Sequence, residues 1–372
     1  MKKLLTTKEV ENFKTDGAIV VRKKFDISWI EKLKIGIKKD IKSPSPRFKS
    51  HTIQKNIPAY LEDYWTWDRI PEFKDFVFNS PISQIASELM SAKKVNLLTS
   101  NEIENYKNDG AVFLKKKFDI RWIEKLKIGI KKDIKSPSPR FKSHTIQKNI
   151  PVYLEDYWTW DRIPEFKDFV FNSPISKIAS ELMSAKKVNL LMDNWFLREA
   201  GAKSSTPFHH DISYFDVDGT MCILWLPLEP TGKDEGVVWV KGSHLWNKIF
   251  LRVRFTDGHK VEGKESIISG KKYEGPPDIL GNKDKYEFLK WNCELGDCVM
   301  FDIRTLHGTL SPSLPKKTLS RYTLRVAKED TKIDYVGDWT SFNYRKAMQE
   351  AGYKNGDKLG GSMFPQLWPK NN

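Results

Sequence analysis

Met221-Cys222-Ile223-Leu224-Trp225-Leu226, entered through Asp218-Gly219 and closed by Pro227, is a short β-rich run bounded by turn formers. Such a run reads as a strand. Others lie on either side: Asn194-Trp195-Phe196-Leu197-Arg198, Gly236-Val237-Val238-Trp239-Val240 and Cys298-Val299-Met300-Phe301-Asp302. From about Val188 the apolar period changes from helical to strand-like. Many short strands in one half of the chain predict a double-sheet jelly roll, the architecture that cupins share. With helices ahead of it, the fold class is α+β: a double-stranded β-helix with flanking N-terminal helices.

Between two of these runs stands His209-His210-Asp211, and His307 follows 96 positions after Asp211. In an extended strand, residues i and i+2 share a side. His209 and Asp211 are therefore expected to converge while His210 faces away. Two histidines and one carboxylate on one face, with the opposite positions open, form the facial triad of non-haem Fe(II) oxygenases. A site in the mouth of a jelly roll would take a ligand pair from an early strand and its last ligand from a late one.

The chain has 372 residues, enough to bury a full core, and 39% of them are hydrophobic and 30% charged. No apolar run approaches the roughly 18 residues of a membrane span, and the expectation is no membrane partner. Met1-Lys2-Lys3-Leu4-Leu5 turns polar at Thr6-Thr7-Lys8-Glu9, without a signal-peptide core. Cys222, Cys293 and Cys298 are too few for a disulfide framework and read as buried hydrophobes in a reducing, cytoplasmic compartment. The net charge of +15 is uneven: residues 192–372 carry 26 basic and 24 acidic groups, a net of +2, which leaves +13 for residues 1–191. That excess is Lys scattered along helical segments, as in Glu124-Lys125-Leu126-Lys127, and solvated helix faces account for it. No nucleic-acid-binding motif accompanies it, so no nucleic-acid partner is expected.

Residues 4–98 recur as 97–191, at an offset of 93. Between 29–98 and 122–191 only two of 70 positions differ, Ala59/Val152 and Gln84/Lys177. Ten of 25 differ between 4–28 and 97–121, several of them apolar for apolar: Val10/Ile103, Ile19/Val112, Val20/Phe113 and Val21/Leu114. Sites that change yet stay apolar are expected to be buried in both copies. Each copy reads alike. Thr99 with Glu102 (Thr6 with Glu9) forms a capping box, and Gly110 (Gly17) ends the helix it opens. Ala111-Val112-Phe113-Leu114 reads as a short buried strand, and Asp119 caps a helix reaching about Ile134. Ser136-Pro137-Ser138-Pro139 breaks it, Tyr157-Trp158-Thr159-Trp160 reads as core, and helices follow over 164–171 and 174–184. Only the second copy runs directly into residues with metal-ligand chemistry. The predicted organisation is a duplicated, non-catalytic helical segment over 1–96 and a catalytic domain over 97–372, itself a helical part (97–191) and a jelly-roll core (192–372). The first copy is expected to hang as an appendage, or to compete for the same barrel through a homodimeric domain swap.

Phe196-Leu197-Arg198-Glu199-Ala200-Gly201, then Ser205-Thr206-Pro207-Phe208-His209-His210-Asp211, Tyr214, Asp218-Gly219, Trp225-Leu226-Pro227-Leu228, Gly242-Ser243-His244, Gly296-Asp297 and Leu306-His307-Gly308 follow in order. This series, with the tail Gly360-Gly361-Ser362-Met363-Phe364-Pro365, resembles the phytanoyl-CoA dioxygenase family over roughly 97–372. The resemblance implies an Fe(II)- and 2-oxoglutarate-dependent dioxygenase on a double-stranded β-helix, with His209, Asp211 and His307 as iron ligands. It also implies a basic residue near the last strand for the distal carboxylate of 2-oxoglutarate, a task suited to guanidinium. The family's arginine falls about 11 positions after the distal His, near Leu319 here. Arg321 and Arg325 share a strand face with Leu319, and Arg321 is the first choice, with Arg325 as fallback. Arg198, Trp225 and Thr309 fall where cofactor-lining residues are expected. The implied reaction consumes 2-oxoglutarate and O2, releases succinate and CO2, and oxidises a small organic molecule. A carboxylate ligand at Asp211 leaves no vacancy for halide and favours hydroxylation.

Blander readings accompany these. His210 packs on the opposite side of its strand, His244 is structural in its Gly-Ser-His turn, and His259 is a solvated loop residue. Residues 255–290, rich in Gly, Lys and Pro, form a long insertion between strands that shapes substrate choice. The unmatched first copy and the displaced arginine also allow a catalytically degenerate jelly-roll protein with a binding or assembly role.

Overall fold

A computed structural model describes residues 4–51, 60–64, 66–90, 97–144, 152–202, 205–255, 261–268, 271–310, 314–336 and 342–369. The chain divides into two units, residues 1–96 and 97–372. In the second unit the strands are β1 (Ala111–Leu114), β2 (Lys142–Ser143), β3 (Tyr153–Tyr157), β4 (Val188–Arg198), β5 (Met221–Pro227), β6 (Val238–Val240), β7 (Phe288–Leu289), β8 (Cys298–Asp302), β9 (His307–Gly308), β10 (Leu319–Lys328) and β11 (Gln366–Trp368). The larger sheet runs β1-β8-β5-β10-β4-β3-β2, with β11 also paired to β4, and the smaller runs β7-β6-β9. Two sheets with strands drawn alternately from distant stretches of chain make the double-stranded β-helix.

Strand alternation sorts the larger sheet into two faces. Thr323 on β10 lies opposite both Trp225 and Asn194, and Arg325 lies opposite Ile223 and Met192. Trp225 meets Trp239 of the smaller sheet with ring centres 5.7 Å apart, so this face looks into the roll. On the other face Leu224, Trp195, Tyr322 and Leu324 join one buried cluster with Leu126, Phe166 and Phe169 of two covering helices. Tyr322 packs its ring on Phe166 at 5.0 Å and Phe169 at 5.4 Å.

The covering helices form as the local signals require. Thr99 and Glu102 make both bonds of the capping box, and Gly110 closes that helix in the left-handed region at φ +83°. Asp119 caps Ile120–Lys135, whose Ile123, Leu126 and Ile130 form the buried stripe. Helices Pro164–Asn172 and Ile175–Leu182 follow. The buried Asp193 accepts from the Thr159 amide and hydroxyl, the Trp160 amide and the Tyr322 hydroxyl, which ties the aromatic turn to β4.

Residues 97–191 are more than a helical part with one strand, because β2 and β3 join the expected β1 in the larger sheet. β3 was not anticipated: Tyr153-Leu154-Glu155-Asp156-Tyr157 carries two acids and extends through pairing with β4. The predicted insertion contains a small sheet of its own, in which Lys271–Glu274 lies between Ile249–Phe250 and Ser266–Ile268. His259 lies outside the described residues.

In the first unit, Thr6 and Glu9 make the same capping box, and helices Thr7–Asp16, Ile27–Lys42, Pro71–Asn79 and Ile82–Leu89 repeat their counterparts. Residues 18–21, the counterpart of β1, form no strand, and Val20 is 72% exposed. This corrects the expectation of a buried strand in both copies. β1 is extended because Leu114, Phe113, Val112 and Ala111 pair with Cys298 through Phe301 of β8. Identical residues also differ in burial: Ile30 and Ile37 are 40% and 50% exposed, against 1% and 3% for Ile123 and Ile130. Ile130→Ala is therefore expected to cost about 2–5 kcal/mol, and Ile37→Ala about 0.5 kcal/mol or less. Denaturant unfolding of the two full-length variants measures both.

Candidate metal centre and its two cavities

His209 and His307 face one another through backbone pairing. The His209 amide donates to the His307 carbonyl at 3.0 Å, and the His307 amide returns the bond at 2.9 Å. On its other edge β9 pairs with β6, placing His307 opposite Trp239. The two imidazole ring centres are consequently 4.3 Å apart. The approach requires Gly308, since a Cβ there would lie 2.8 Å from the Phe208 backbone. Each Nδ1 meets a carbonyl, Pro207 at 2.7 Å for His209 and Thr305 at 3.0 Å for His307. Both Nδ1 atoms thus carry the proton, and the Nε2 lone pairs are left for a metal. Burial, with His209 beside it, pulls the His307 pKa down to about 3 and keeps that ring neutral.

Asp211 does not lie on the predicted strand; it opens a single 3-10 turn, Asp211–Tyr214. Convergence with His209 survives because His210 is extended, at φ −118° and ψ 148°, before the chain turns. Asp211 Oδ1 lies 3.2 Å from His209 Nε2 and 3.5 Å from His307 Nε2. One donor atom from each of the three buried residues falls within 4.8 Å of the others. Burial alone would raise the Asp211 pKa, but Arg325 and the two histidines overcome it and hold the carboxyl well below the usual range. Two imidazole nitrogens and one carboxylate oxygen suit a divalent iron. His210 turns away, as expected, and its Nε2 accepts from the Phe250 amide at 2.9 Å. His244 Nε2 bonds the Lys107 carbonyl at 3.0 Å, which fits a structural role.

Two cavities touch this centre or its neighbours. The larger, about 440 Å³, is lined by His209 and Asp211, by Tyr157, Phe196, Tyr214 and Phe255, and by Arg325. Phe255 and Glu262 bring the insertion into its wall beside Arg252, Val253 and Arg254, which precede it, and the Phe255 ring lies 5.0 Å from that of His209. The smaller is lined by Arg198, Trp225, Thr309 and Arg321, four of the five expected cofactor residues. Arg325 is not among them; its guanidinium bonds Asp211. Arg321 donates to the Tyr153 hydroxyl at 2.7 Å and lies 4.3 Å over the Phe196 ring. Burial, followed by the nearby Arg321 charge, lowers the Arg198 pKa, a strain that an anion between them would relieve. Trp225, whose Nε1 is buried without a partner among the described residues, lines the same cavity. These features suit an anion, and the cavity as it stands, about 30 Å³, has room for a water-sized guest.

Sequence reading missed His144 and Glu155, which face the larger cavity as a buried pair 3.2 Å apart. Burial acts to raise the Glu155 pKa, but the His144 hydrogen bond and the Lys142 and Arg325 charges hold it lowered. Their only sequence signal was β3, and that strand is visible only through its pairing.

Residues 106–312 match the family described as Phytanoyl-CoA dioxygenase (PhyH). Among solved structures, the chain is similar to the non-heme alpha ketoglutarate dependent carbocyclase SnoK from nogalamycin biosynthesis. It shares 16% identity and a TM-score of 0.54 with it, over 73% of this chain and 97% of that one. The alpha ketoglutarate dependent epimerase SnoN of the same biosynthesis gives 16% identity and a TM-score of 0.53, over 72% and 97%. SnoN has also been solved in complex with Fe3+, alpha ketoglutarate and nogalamycin RO, and matches with the same values. At this identity the likeness shows the fold. No curated protein matches the chain. Among the described residues no helix is long and apolar enough to cross a membrane.

The close approach at Gly308 yields a test of the geometry. Gly308→Ala is expected to destabilise the protein by about 1–3 kcal/mol through overpacking. Gly360→Ala, where an added Cβ meets nothing within 4 Å, is expected to change little. Denaturant midpoints of the two variants decide it.

Proposed function

Because the chain belongs to the phytanoyl-CoA dioxygenase family, we propose that His209, Asp211 and His307 hold Fe(II) and that this enzyme hydroxylates a small organic molecule. Membership makes it a non-haem iron, 2-oxoglutarate-dependent enzyme with an oxygenase-type function. The observation that carries the ligand assignment is the convergence of two Nε2 atoms and Asp211 Oδ1 on one point. When bound, Fe(II) with 2-oxoglutarate supplies the oxidative decarboxylation to succinate and CO2 that activates O2 toward a substrate C–H bond.

The chain's own residues divide the remaining work. Arg321 grips the distal carboxylate of 2-oxoglutarate, Arg198 adds charge beside it, and Trp225 and Thr309 line the pocket; their shared cavity supports this reading. The aromatic walls of the larger cavity seat the substrate and exclude water, in a volume suited to a small molecule. Phe255, at the start of the insertion, and Arg252 and Arg254 just ahead of it wall one side. The carboxylate ligand favours hydroxylation over halogenation.

Residues 1–96 are non-catalytic in this reading. Val20, Ile30 and Ile37, whose counterparts are buried or half-buried in the second copy, stand exposed, which supports an appendage able to exchange between chains in a domain-swapped dimer. Three buried, unbonded cysteines support a cytoplasmic setting.

Succinate release from 2-oxoglutarate is expected to require Fe(II), and its absence, together with absent Fe(II) and 2-oxoglutarate binding, would overturn the catalytic reading. His307→Ala is expected to abolish metal binding and His210→Ala to preserve it; the reverse result moves the ligand register. Arg321→Ala is expected to weaken 2-oxoglutarate binding about 10- to 100-fold, the loss of a charge-assisted pair. Deleting residues 1–93 is expected to leave turnover intact, and a dead truncation refutes the appendage.

A further inference from the structure

We propose that Arg325 is a positioning residue for the metal centre: it occupies one oxygen of Asp211, so that the carboxylate engages the metal through the other oxygen alone. The inference rests on the ligand assignment above and goes beyond it. Arg325 Nε donates to Asp211 Oδ2 at 2.6 Å, and a terminal guanidinium nitrogen reaches the same oxygen at 2.5 Å. The opposite oxygen, Oδ1, is the one that faces His209 Nε2 and His307 Nε2. The two oxygens of one carboxylate are thus assigned to different partners.

The guanidinium is itself fixed. Its second terminal nitrogen donates to Asn194 Oδ1 at 2.7 Å, and that oxygen also accepts from the Thr323 hydroxyl. Asn194 and Thr323 are direct partners across β4 and β10, so the anchor is a feature of the sheet. Arg325 is buried, and its guanidinium lies 5.4 Å over the Phe215 ring. Swinging away would strand a buried charge and the buried Asp211 Oδ2 acceptor.

The consequence concerns the open half of the metal. Three protein donor atoms on one face leave the opposite face of an octahedron vacant. A metal held this way would keep that face free for the cosubstrate. A carboxylate is equally able to bind a metal through both oxygens, and Asp211 doing so would close a position. Arg325 prevents that, and Arg321, in the other cavity, is left as the cosubstrate's arginine.

The test uses full-length protein loaded with Co(II), a spectroscopic stand-in for iron. Visible absorption is recorded before and during titration with 2-oxoglutarate. Arg325→Met is expected to take up Co(II) with an absorption spectrum unlike that of the wild type before any 2-oxoglutarate is added. Its 2-oxoglutarate affinity is expected to fall about 10- to 100-fold, the usual effect of removing a ligand's supporting partner. Asn194→Ala, which loosens the anchor and keeps the arginine, is expected to shift the spectrum in the same direction by less. Arg321→Ala is expected to lose 2-oxoglutarate affinity with an unaltered Co(II) spectrum. A wild-type spectrum in Arg325→Met overturns the proposal, whether or not cosubstrate affinity falls. If circular dichroism shows Arg325→Met unfolded, Arg325→Lys, which retains charge without the two-ended clamp, and Asn194→Ala decide by the same spectrum. Failure of the wild type to bind Co(II) instead overturns the ligand assignment.

Discussion

The pair of backbone hydrogen bonds between His209 and His307 is the constraint on which the rest of the site depends. It joins the segment after β4 to β9 across 98 residues of chain, counted from the two positions. Because the bonds run between backbones, both imidazoles are set before any metal arrives. Carbonyls of Pro207 and Thr305 then fix their tautomers, and Gly308 supplies the room for close approach. Such preorganisation lowers the cost of assembling a site. Asp211 is set differently, by a turn and a side-chain clamp, and of the three ligands it is the one whose orientation depends on other side chains.

The larger sheet converts this local geometry into two separate chambers. β10 runs past both, and its inward side chains change task along the strand. Arg321 faces Tyr153, Phe196 and the smaller cavity, whereas Arg325, two strand periods further on, faces Asp211 and the larger one. Two arginines four residues apart thus serve different partners although they share a face. The outward side chains of the same strand, Tyr322 and Leu324, are held by the covering helices. Helix packing on one face therefore stiffens the chemistry on the other.

This division also explains what could be read in the sequence. Strand runs bounded by turn formers, the capping boxes and the spacing of His209, Asp211 and His307 are local or nearly local signals, and each has a counterpart in the structure. Strand alternation pointed His210 away correctly, although the strand itself gave way to a turn at Asp211. Nothing local distinguishes Arg321 from Arg325, because both lie on one face of one strand and differ only in what lies opposite. Glu155 and His144 were invisible for a related reason: β3 exists through its pairing with β4.

The duplicated segment puts the same point as an experiment within one chain. Residues 18–21 and β1 have similar apolar character and follow the same helix and the same left-handed glycine. One forms a strand and the other does not. Local propensity therefore cannot be what makes β1 a strand; the edge of β8 is. The helices behave otherwise. Thr7–Asp16 and Ile27–Lys42 form with the same caps as their counterparts although Ile30 and Ile37 of the second helix are exposed. Helical hydrogen bonds close within a segment, while strand hydrogen bonds need a partner. A duplicated helical element can keep its secondary structure with part of its apolar stripe uncovered, and a duplicated strand cannot form without a partner edge.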